Sequence, residues 1–509
     1  MKKNILLLSI ALCVFSFIYG QNNKLDNEIL NLENNSSITA EETFKSLSDY
    51  SRYSAIEQDT FNLFYNQIND TLKAPYLIYI PPKYDFHKKT ALIVYLHGGV
   101  SRADFVEEPL TVFRDNPFIP FAEKNNWLML FPLGKMDYTW WDCAGIQNVK
   151  EQIIHVKKNF NVDDDRIFIT GFSDGGSGSF YWDLTNPDDF ASFFPLNGFM
   201  SVGGLVTQTP VFLENMMNRP CFAINTDLDQ LYPSKRMKPL MELAISAGAD
   251  ILYKEYFGIG HAFDYAEQEV PIIIQNMKNN PREIFRPEIY WETWTPEFGK
   301  CDWIEIVSLD TLQSKKEWQK EYLKKLPDDR ISFGFYMDRE FEGDGIRVNK
   351  VMDTECTAKE MGLEDDDIII KMDGKSTLQN DEMAKIKHGK ARGDSVSLIV
   401  LREGIEILLK GKFPEITYSD AFIYNKPSGA VKAQYCGNEF SIQTSCVKEV
   451  AIYLHPDMVN FENPIKVIIN DEEIYNQKVE PDKEFILENF RENYDRTALW
   501  CKKLVFEIE

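Results

Sequence analysis

"RIFITGFSDGGSGSF", Arg166 to Phe180, decides how this chain is read. A β-branched and aromatic run, Arg166 to Thr170, breaks at Gly171, and Gly175, Gly176 and Gly178 then open a stretch of helical pattern around Ser173. The GxSxG pattern from Gly171 to Gly175 arises by chance about 0.2 times in a chain of this length. Its context carries the information. A strand directly before and a helix directly after hold a serine hydroxyl exposed at the carboxyl edge of a parallel sheet. Glycines suit a turn too crowded for side chains, and a helix N-terminus behind the serine favours negative charge developing there.

Outward from the serine the texture is uniform. Short apolar runs begin at Tyr76, Ala91, Trp127, Arg166, Phe190, Cys221 and Ile251. Helical patterns lie between or after them at 146–160, 177–184, 234–247 and 262–279. Near-continuous apolar strands alternating with helices predict an α/β domain around a mostly parallel sheet, placed at 70–280.

A nucleophilic serine needs a base, and the chain has six histidines. His87 and His97 precede the turn, His155 falls in a helical pattern, and His388 and His455 lie outside the α/β region. His261, in the Gly-flanked "FGIGHAFDY" after the last strand, stands where the order Ser, acid, His requires it. The acid is expected after the Cys221 strand, at Asp229 rather than Asp227, because a proline and a helix follow Asp229. Asp227 is left to hydrogen-bond the loop. The oxyanion hole is expected from the N–H groups of Gly99, in "YLHGG", and Asp174, with Val100 as the alternative to Gly99. His97 reads as a structural tie for that loop.

With "YLHGG", "TWWD" at Thr139, "VDDDRIFITGFSDGGSGSF", "LDQLYP" and "GHAF" in place, residues 70–280 resemble an α/β-hydrolase of the esterase and polyhydroxybutyrate-depolymerase-like group. The resemblance implies a serine carboxylester hydrolase working through an acyl-enzyme, with Ser173, Asp229 and His261 catalytic. It also implies that Trp140 and Trp141 lie near the substrate, and that no cofactor or metal is needed.

Beyond Pro281 the pattern turns to β. Residues 282–310 and 416–509 are expected to form one β-sandwich, with the module at 330–414 inserted and a charged helix over 312–326 leading into it. "ISFGFYM", "DGIRVNKV", "AKEMGLEDDDIIIKMDGKS" and "GDSVSLIVLREG" resemble a PDZ domain. That resemblance implies a carboxylate-binding loop at Phe333, Gly334 and Phe335, whose N–H groups hold a peptide or protein C-terminus. The family's usual Pro-Gly-Asp turn is here Asp365-Asp366-Asp367.

At 509 residues the chain exceeds one hydrophobic core, and three domains are expected. Met1 to Gly20, two lysines and then an apolar run from Ile5 to Tyr19, has signal-peptide anatomy, so the protein is expected to be exported to the periplasm or beyond. Residues 21–70 read as a lead-in. Of eight cysteines one, Cys13, lies in the leader, and the remaining odd, thinly spread set is not a disulfide framework. The formal charge of −24 opposes nucleic-acid binding. No later apolar run is long enough to span a bilayer. The substrate is expected to be a small or polymer-borne ester. Two other readings are a serine peptidase of prolyl-oligopeptidase type and a non-catalytic binding protein using the PDZ groove.

Overall fold

The computed structural model describes residues 24–54, 60–338 and 340–508. The expected leader, residues 1–20, lies outside them. Eight strands form the first sheet: β1 Phe61–Gln67, β2 Lys73–Tyr79, β3 Thr90–Leu96, β4 Leu128–Pro132, β5 Val162–Phe172, β6 Ser192–Leu196, β7 Cys221–Thr226 and β8 Ile251–Tyr256. Their order is β1-β2-β4-β3-β5-β6-β7-β8. The pairs β1–β2 and β2–β4 are antiparallel, and every pair from β4 onward is parallel. Every residue of β3 and β4 is buried, so neither face of the central sheet is open. That is why these strands read as unbroken apolar runs. The half-exposed edge strand β1, with asparagines between its aromatic residues, gave no such run.

Helices Cys143–Asn159, Asp174–Thr185, Ser234–Ser246 and Ala266–Asn279 follow β4, β5, β7 and β8. The helix after β5 is buried on every side. Its glycines are the reason: a Cβ on Gly176 would meet the Leu196 carbonyl at 2.5 Å, and one on Gly178 would meet the Trp140 side chain at 2.5 Å.

After the first sheet come two more, sharing one core. Strands Glu288–Thr293, Gly429–Cys436, Glu439–Ser445, Ile465–Ile469 and Glu472–Gln477 make one; Lys300–Cys301, Ile304–Leu309, Val447–Leu454 and Lys502–Glu507 make the other. Trp291, Val431 and Phe440 from the first meet Trp303, Ile306 and Val450 from the second. The helix expected over 312–326 is absent. Its residues run as irregular chain into a strand at Lys325–Asp328, because Gln319 is drawn into the interior. There the Gln319 amide donates to Glu292 at 2.7 Å and accepts from the Ser445 hydroxyl at 2.6 Å.

The lead-in is also more than a tether. Helices Lys24–Asn34 and Ala40–Ser48 put Leu25, Ile29, Leu32 and Leu47 against Ile486, Leu487 and Phe490 of a helix at Lys483–Asn493. The second lead-in helix begins with a capping box at Thr39 and Glu42.

Leu323–Ala421 is a compact unit of its own. Its sheet runs Phe335–Met337, Ile346–Val351, Ile368–Met372, Ser395–Arg402, Ile405–Lys412, with Lys375–Ser376 paired beside Ile368–Met372. Helices Thr357–Met361 and Asn380–His388 complete it. The core is Ile346, Val348, Ile369, Leu398, Val400 and Phe413. The seven cysteines of the described chain are all free thiols, and no helix of the described residues is long and apolar enough to cross a membrane.

Where the first sheet's domain meets the later sheets, charge is buried in pairs. Lys157 donates to Asp189 at 2.8 Å and to Asp495 at 3.3 Å, and Arg282 grips Asp495 with two bonds of 2.8 and 2.9 Å. Arg496 reaches back to Asp164 at 2.9 Å. The side chains of Lys157, Asp164, Arg282, Asp495 and Arg496 are at most 2% exposed. Burial alone would push the Asp495 carboxyl up; Arg282 and Lys157 overcome this and hold it far below the usual carboxylate range. Removing one partner strands the others in a dry interior. Asp495→Ala is therefore expected to cost about 3–5 kcal/mol in urea unfolding. The sign with pH follows: this contribution is complete above about pH 4, the unfolded value, and is lost as pH falls below it. A loss under 1 kcal/mol, on the order of a surface pair, would show that the cluster is solvated.

Candidate active site

Ser173 sits between β5 and its helix with φ at +62° and ψ at −121°, a conformation L-residues rarely adopt. The turn is forced by close backbone contact. A Cβ on Gly171 would lie 2.4 Å from the Leu96 carbonyl oxygen at the end of β3, and one on Gly175 only 1.9 Å from it. The Ser173 N–H donates to the Leu196 carbonyl at 3.0 Å, anchoring the turn from the β6 side.

His261 and Asp229 arrive at this serine from the loops after β8 and β7. His261 Nε2 is 2.9 Å from Ser173 Oγ, and His261 Nδ1 is 2.7 Å from Asp229 Oδ2. A carboxylate can only accept, so the ring proton is on Nδ1 and Nε2 is left to accept from the serine hydroxyl. Asp229 is buried, and its other oxygen accepts the Leu231 and Tyr232 N–H groups at 2.8 and 2.9 Å. Burial would raise its carboxyl; the bonds from His261, Asn197 and the Tyr232 N–H outweigh burial and hold it below the ordinary value. Asp227 accepts from the Gly258 N–H at 2.7 Å and so ties the two loops together. The His261 ring is packed by Phe172, 5.0 Å between centroids, and by Tyr232 edge-on.

The loop after β3 is pinned peptide by peptide. His97 Nε2 accepts from the Gly134 N–H at 2.9 Å, so its Nδ1–H donates to the Gly98 carbonyl at 2.8 Å. Burial lowers the His97 ring to about 4, which keeps it neutral and this pattern fixed. Arg102 Nε donates to the Gly99 carbonyl at 2.8 Å, and the Val100 N–H donates to Asp174 Oδ2 at 3.0 Å. Gly98 touches the serine: a Cβ there would be 2.9 Å from Ser173 Cβ. Among the described residues the N–H groups of Gly99 and Asp174 have no acceptor within the protein, whereas the Val100 N–H, the alternative donor, is engaged. Asp174 also has a side-chain part that sequence reading did not give it. Besides holding Val100, its carboxylate accepts from the Tyr232 hydroxyl at 3.3 Å, joining the loop after β3 to the loop after β7.

Three further observations depart from or add to the sequence reading. Trp140 is fully buried and Trp141 6% exposed, so neither offers a face to a substrate. Trp140 instead donates to the His97 carbonyl at 2.8 Å and accepts, through its own carbonyl, from Trp182 Nε1 at 3.0 Å, buttressing the loop from behind. Asn197, just past β6 with φ +43°, was missed: its amide donates to Asp229 at 2.9 Å and Thr226 at 2.7 Å, and its oxygen accepts from the Tyr265 hydroxyl at 2.6 Å. Its only sequence signal was an Asn-Gly pair after an apolar run. In the separate unit, Phe333 is buried in the core and Gly334 has φ +84°, with the Cys356 side chain against it. The Gly334 N–H donates to Ser332 Oγ at 3.2 Å, so that donor is occupied, and Phe335 begins the strand at the sheet edge.

Residues 85–277 match the family described as phospholipase/carboxylesterase. Strand order and match together give this part of the chain an α/β-hydrolase fold. A bifunctional acetylxylan esterase/xylanase of Neocallimastix patriciarum is 28% identical over 93 residues, 18% of this chain and 14% of that protein. Among solved structures, a thermostable esterase is 21% identical, covering 44% of this chain and 64% of its own, with a TM-score of 0.36. An S-formylglutathione hydrolase from Agrobacterium tumefaciens is 16% identical, covering 43% and 95%, with a TM-score of 0.35.

The Asp174 carboxylate generates a test. Asp174→Ala releases the Val100 N–H and the Tyr232 hydroxyl together and lets the oxyanion loop drift. With p-nitrophenyl acetate, kcat is expected to fall about 10²-fold with KM nearly constant. Asp174→Asn, whose amide oxygen can still accept from Val100, should recover part of the loss. Equal loss in both variants would point to the negative charge instead.

Proposed function

We propose that the chain is a serine esterase in which Ser173 attacks the carbonyl of a carboxylic ester. The observation that carries this reading is the unbroken hydrogen-bonded chain from Ser173 Oγ through His261 to Asp229. His261 Nε2 takes the serine proton as Oγ bonds to the carbonyl carbon. The carbonyl oxygen, now negative, is met by the N–H groups of Gly99 and Asp174, already aimed and unoccupied. His261 then protonates the departing alcohol, leaving an acyl group on Ser173, and water repeats the sequence to release the acid. Asp229 holds the Nδ1 tautomer and stabilises the imidazolium; it remains ionised throughout because its carboxyl is held low. A neutral His97 and a buried Trp140 keep the oxyanion loop from collapsing onto the serine.

Hydrolysis of p-nitrophenyl acetate and butyrate by the wild type is expected, with Ser173→Ala reducing kcat/KM by at least ~10³-fold. Equal rates in the two proteins would sink the esterase reading. Cleavage of chromogenic dipeptide amides with no ester turnover would replace it by a peptidase.

For the unit Leu323–Ala421, the same proposal includes a PDZ-like domain that takes a peptide C-terminus on the strand Phe335–Met337. What supports it is that this strand is the sheet edge, with Tyr336 and Met337 exposed. A library of C-terminal peptides should show micromolar binders to the whole protein that amidation of the terminus abolishes. Amidated and free peptides binding alike would remove the carboxylate loop from the reading.

A further inference from the structure

Two cations stand on the oxyanion loop and the segment tied to it, with no ion pair among the described residues. Arg102 spends its Nε on the Gly99 carbonyl, and a terminal nitrogen lies 3.0 Å from where a Cβ on Gly99 would be. Gly98, one residue back, rests on Ser173 itself, so the guanidinium is held on the same short loop that lies against the serine. Lys135, on the loop after β4, is tied to the same segment. Its ammonium donates to the Ala103 carbonyl at 3.1 Å, and the adjacent Met136 N–H donates to the Arg102 carbonyl at 2.8 Å. The ammonium also lies over the rings of Phe105 and Tyr138, 5.6 and 5.4 Å from their centroids.

Acidic residues outnumber basic ones 79 to 55, so a carboxylate partner was readily at hand. Other arginines take one: Arg219 is paired with Asp302, Arg282 with Asp495, Arg402 with Asp367. Among the described residues neither Arg102 nor Lys135 has an ion pair; both are held by backbone carbonyls and rings, which orient a cation without neutralising it. Arg102 is exposed, and holding it by Nε leaves its terminal N–H groups in the fork that matches a carboxylate. An anionic molecule approaching a chain of charge −24 is repelled overall, and needs such a local positive site to dock.

We propose that Arg102 and Lys135 form an anion subsite beside the oxyanion donors, and that the substrate is an ester that also carries a carboxylate. This rests on the serine-esterase reading. The subsite orients the ester so that its carbonyl meets Ser173, and the rings of Phe105 and Tyr138 give the substrate an apolar wall next to the charges.

The carboxylate can belong to the acyl or to the alcohol part, and two matched substrate pairs separate these. Monoethyl adipate against ethyl hexanoate places it on the acyl part; 3-acetoxybenzoate against its methyl ester places it on the alcohol part. For each pair, kcat/KM is measured at low salt in wild type, Arg102→Met, Lys135→Met and Arg102→Lys. Wild type is expected to favour the anionic member of one pair. That preference should fall ~10-fold or more in Arg102→Met, fall less in Lys135→Met, persist in part in Arg102→Lys, and shrink as salt is raised. Arg102 also steadies Gly99, so its loss slows both members of a pair; the ratio within each protein cancels this. Ratios that are the same in wild type, Arg102→Met and Lys135→Met overturn the subsite while leaving the esterase intact. Absence of Ser173-dependent turnover on all four substrates overturns the esterase reading, and the subsite with it.

Discussion

The sheet edge that carries Ser173 hangs on one approach of backbone to backbone, where the Leu96 carbonyl occupies the space that Cβ atoms on Gly171 and Gly175 would need. That contact lets β5 stay paired to β3 through the last residue of β3, Leu96 opposite Gly171. The chain leaving β3 is thereby delivered, as His97-Gly98-Gly99, onto the flank of Ser173. A methyl group at either glycine pushes the two strand ends apart, and with them the loop His97-Gly98-Gly99 from Ser173. The positive φ of Ser173 is a consequence of the same crowding, since the chain must reverse within one residue to start its helix.

Around this turn the protein treats charge in two opposite ways. At the junction with the later sheets, Lys157, Arg282 and Arg496 are matched against Asp164, Asp189 and Asp495 in the dry interior, where an unmatched partner is costly. Such pairs fix geometry more than they add net stability, and they stand at a junction that has to hold one arrangement. Near Ser173 other polar groups are left unspent: the N–H groups of Gly99 and Asp174 have no internal acceptor, and Arg102 and Lys135 are held by uncharged partners. Preorganised and unsatisfied groups are what a reacting molecule can use, because no internal partner must be displaced first.

Much of the α/β-hydrolase domain was legible because its strands are buried on both faces, leaving apolar runs without alternation, and because Gly171 and Gly175 mark backbone contacts only glycine permits. Ser173, Asp229 and His261 could be named from their places after strands, and the structure brings them within hydrogen-bond distance. What sequence could not give was the direction in which side chains point. Trp140 and Trp141 sat in the right segment, yet Trp140 turns inward to the His97 carbonyl. Asn197 has a left-handed backbone and three bonds that exist only in the folded chain. The charged stretch 312–326 had helical spacing, but Gln319 finds better partners in the interior than a helix would offer. The lead-in helices looked detached because their partner, the helix Lys483–Asn493, is over 400 residues away in sequence.

That last pairing says something about time as well as space. Leu25, Ile29 and Leu32 leave the ribosome long before Ile486, Leu487 and Phe490, which cover them. Lys157 and Asp164 likewise wait for Asp495 and Arg496. The α/β sheet can assemble early, but the lead-in helices and the buried charges stay uncovered until Ile486 to Arg496 have been made. The helix Lys483–Asn493 and the two charges after it therefore act as a late check: a chain stopped before them carries Ser173, His261 and Asp229, yet leaves Leu25, Ile29 and Lys157 without the layer that covers them.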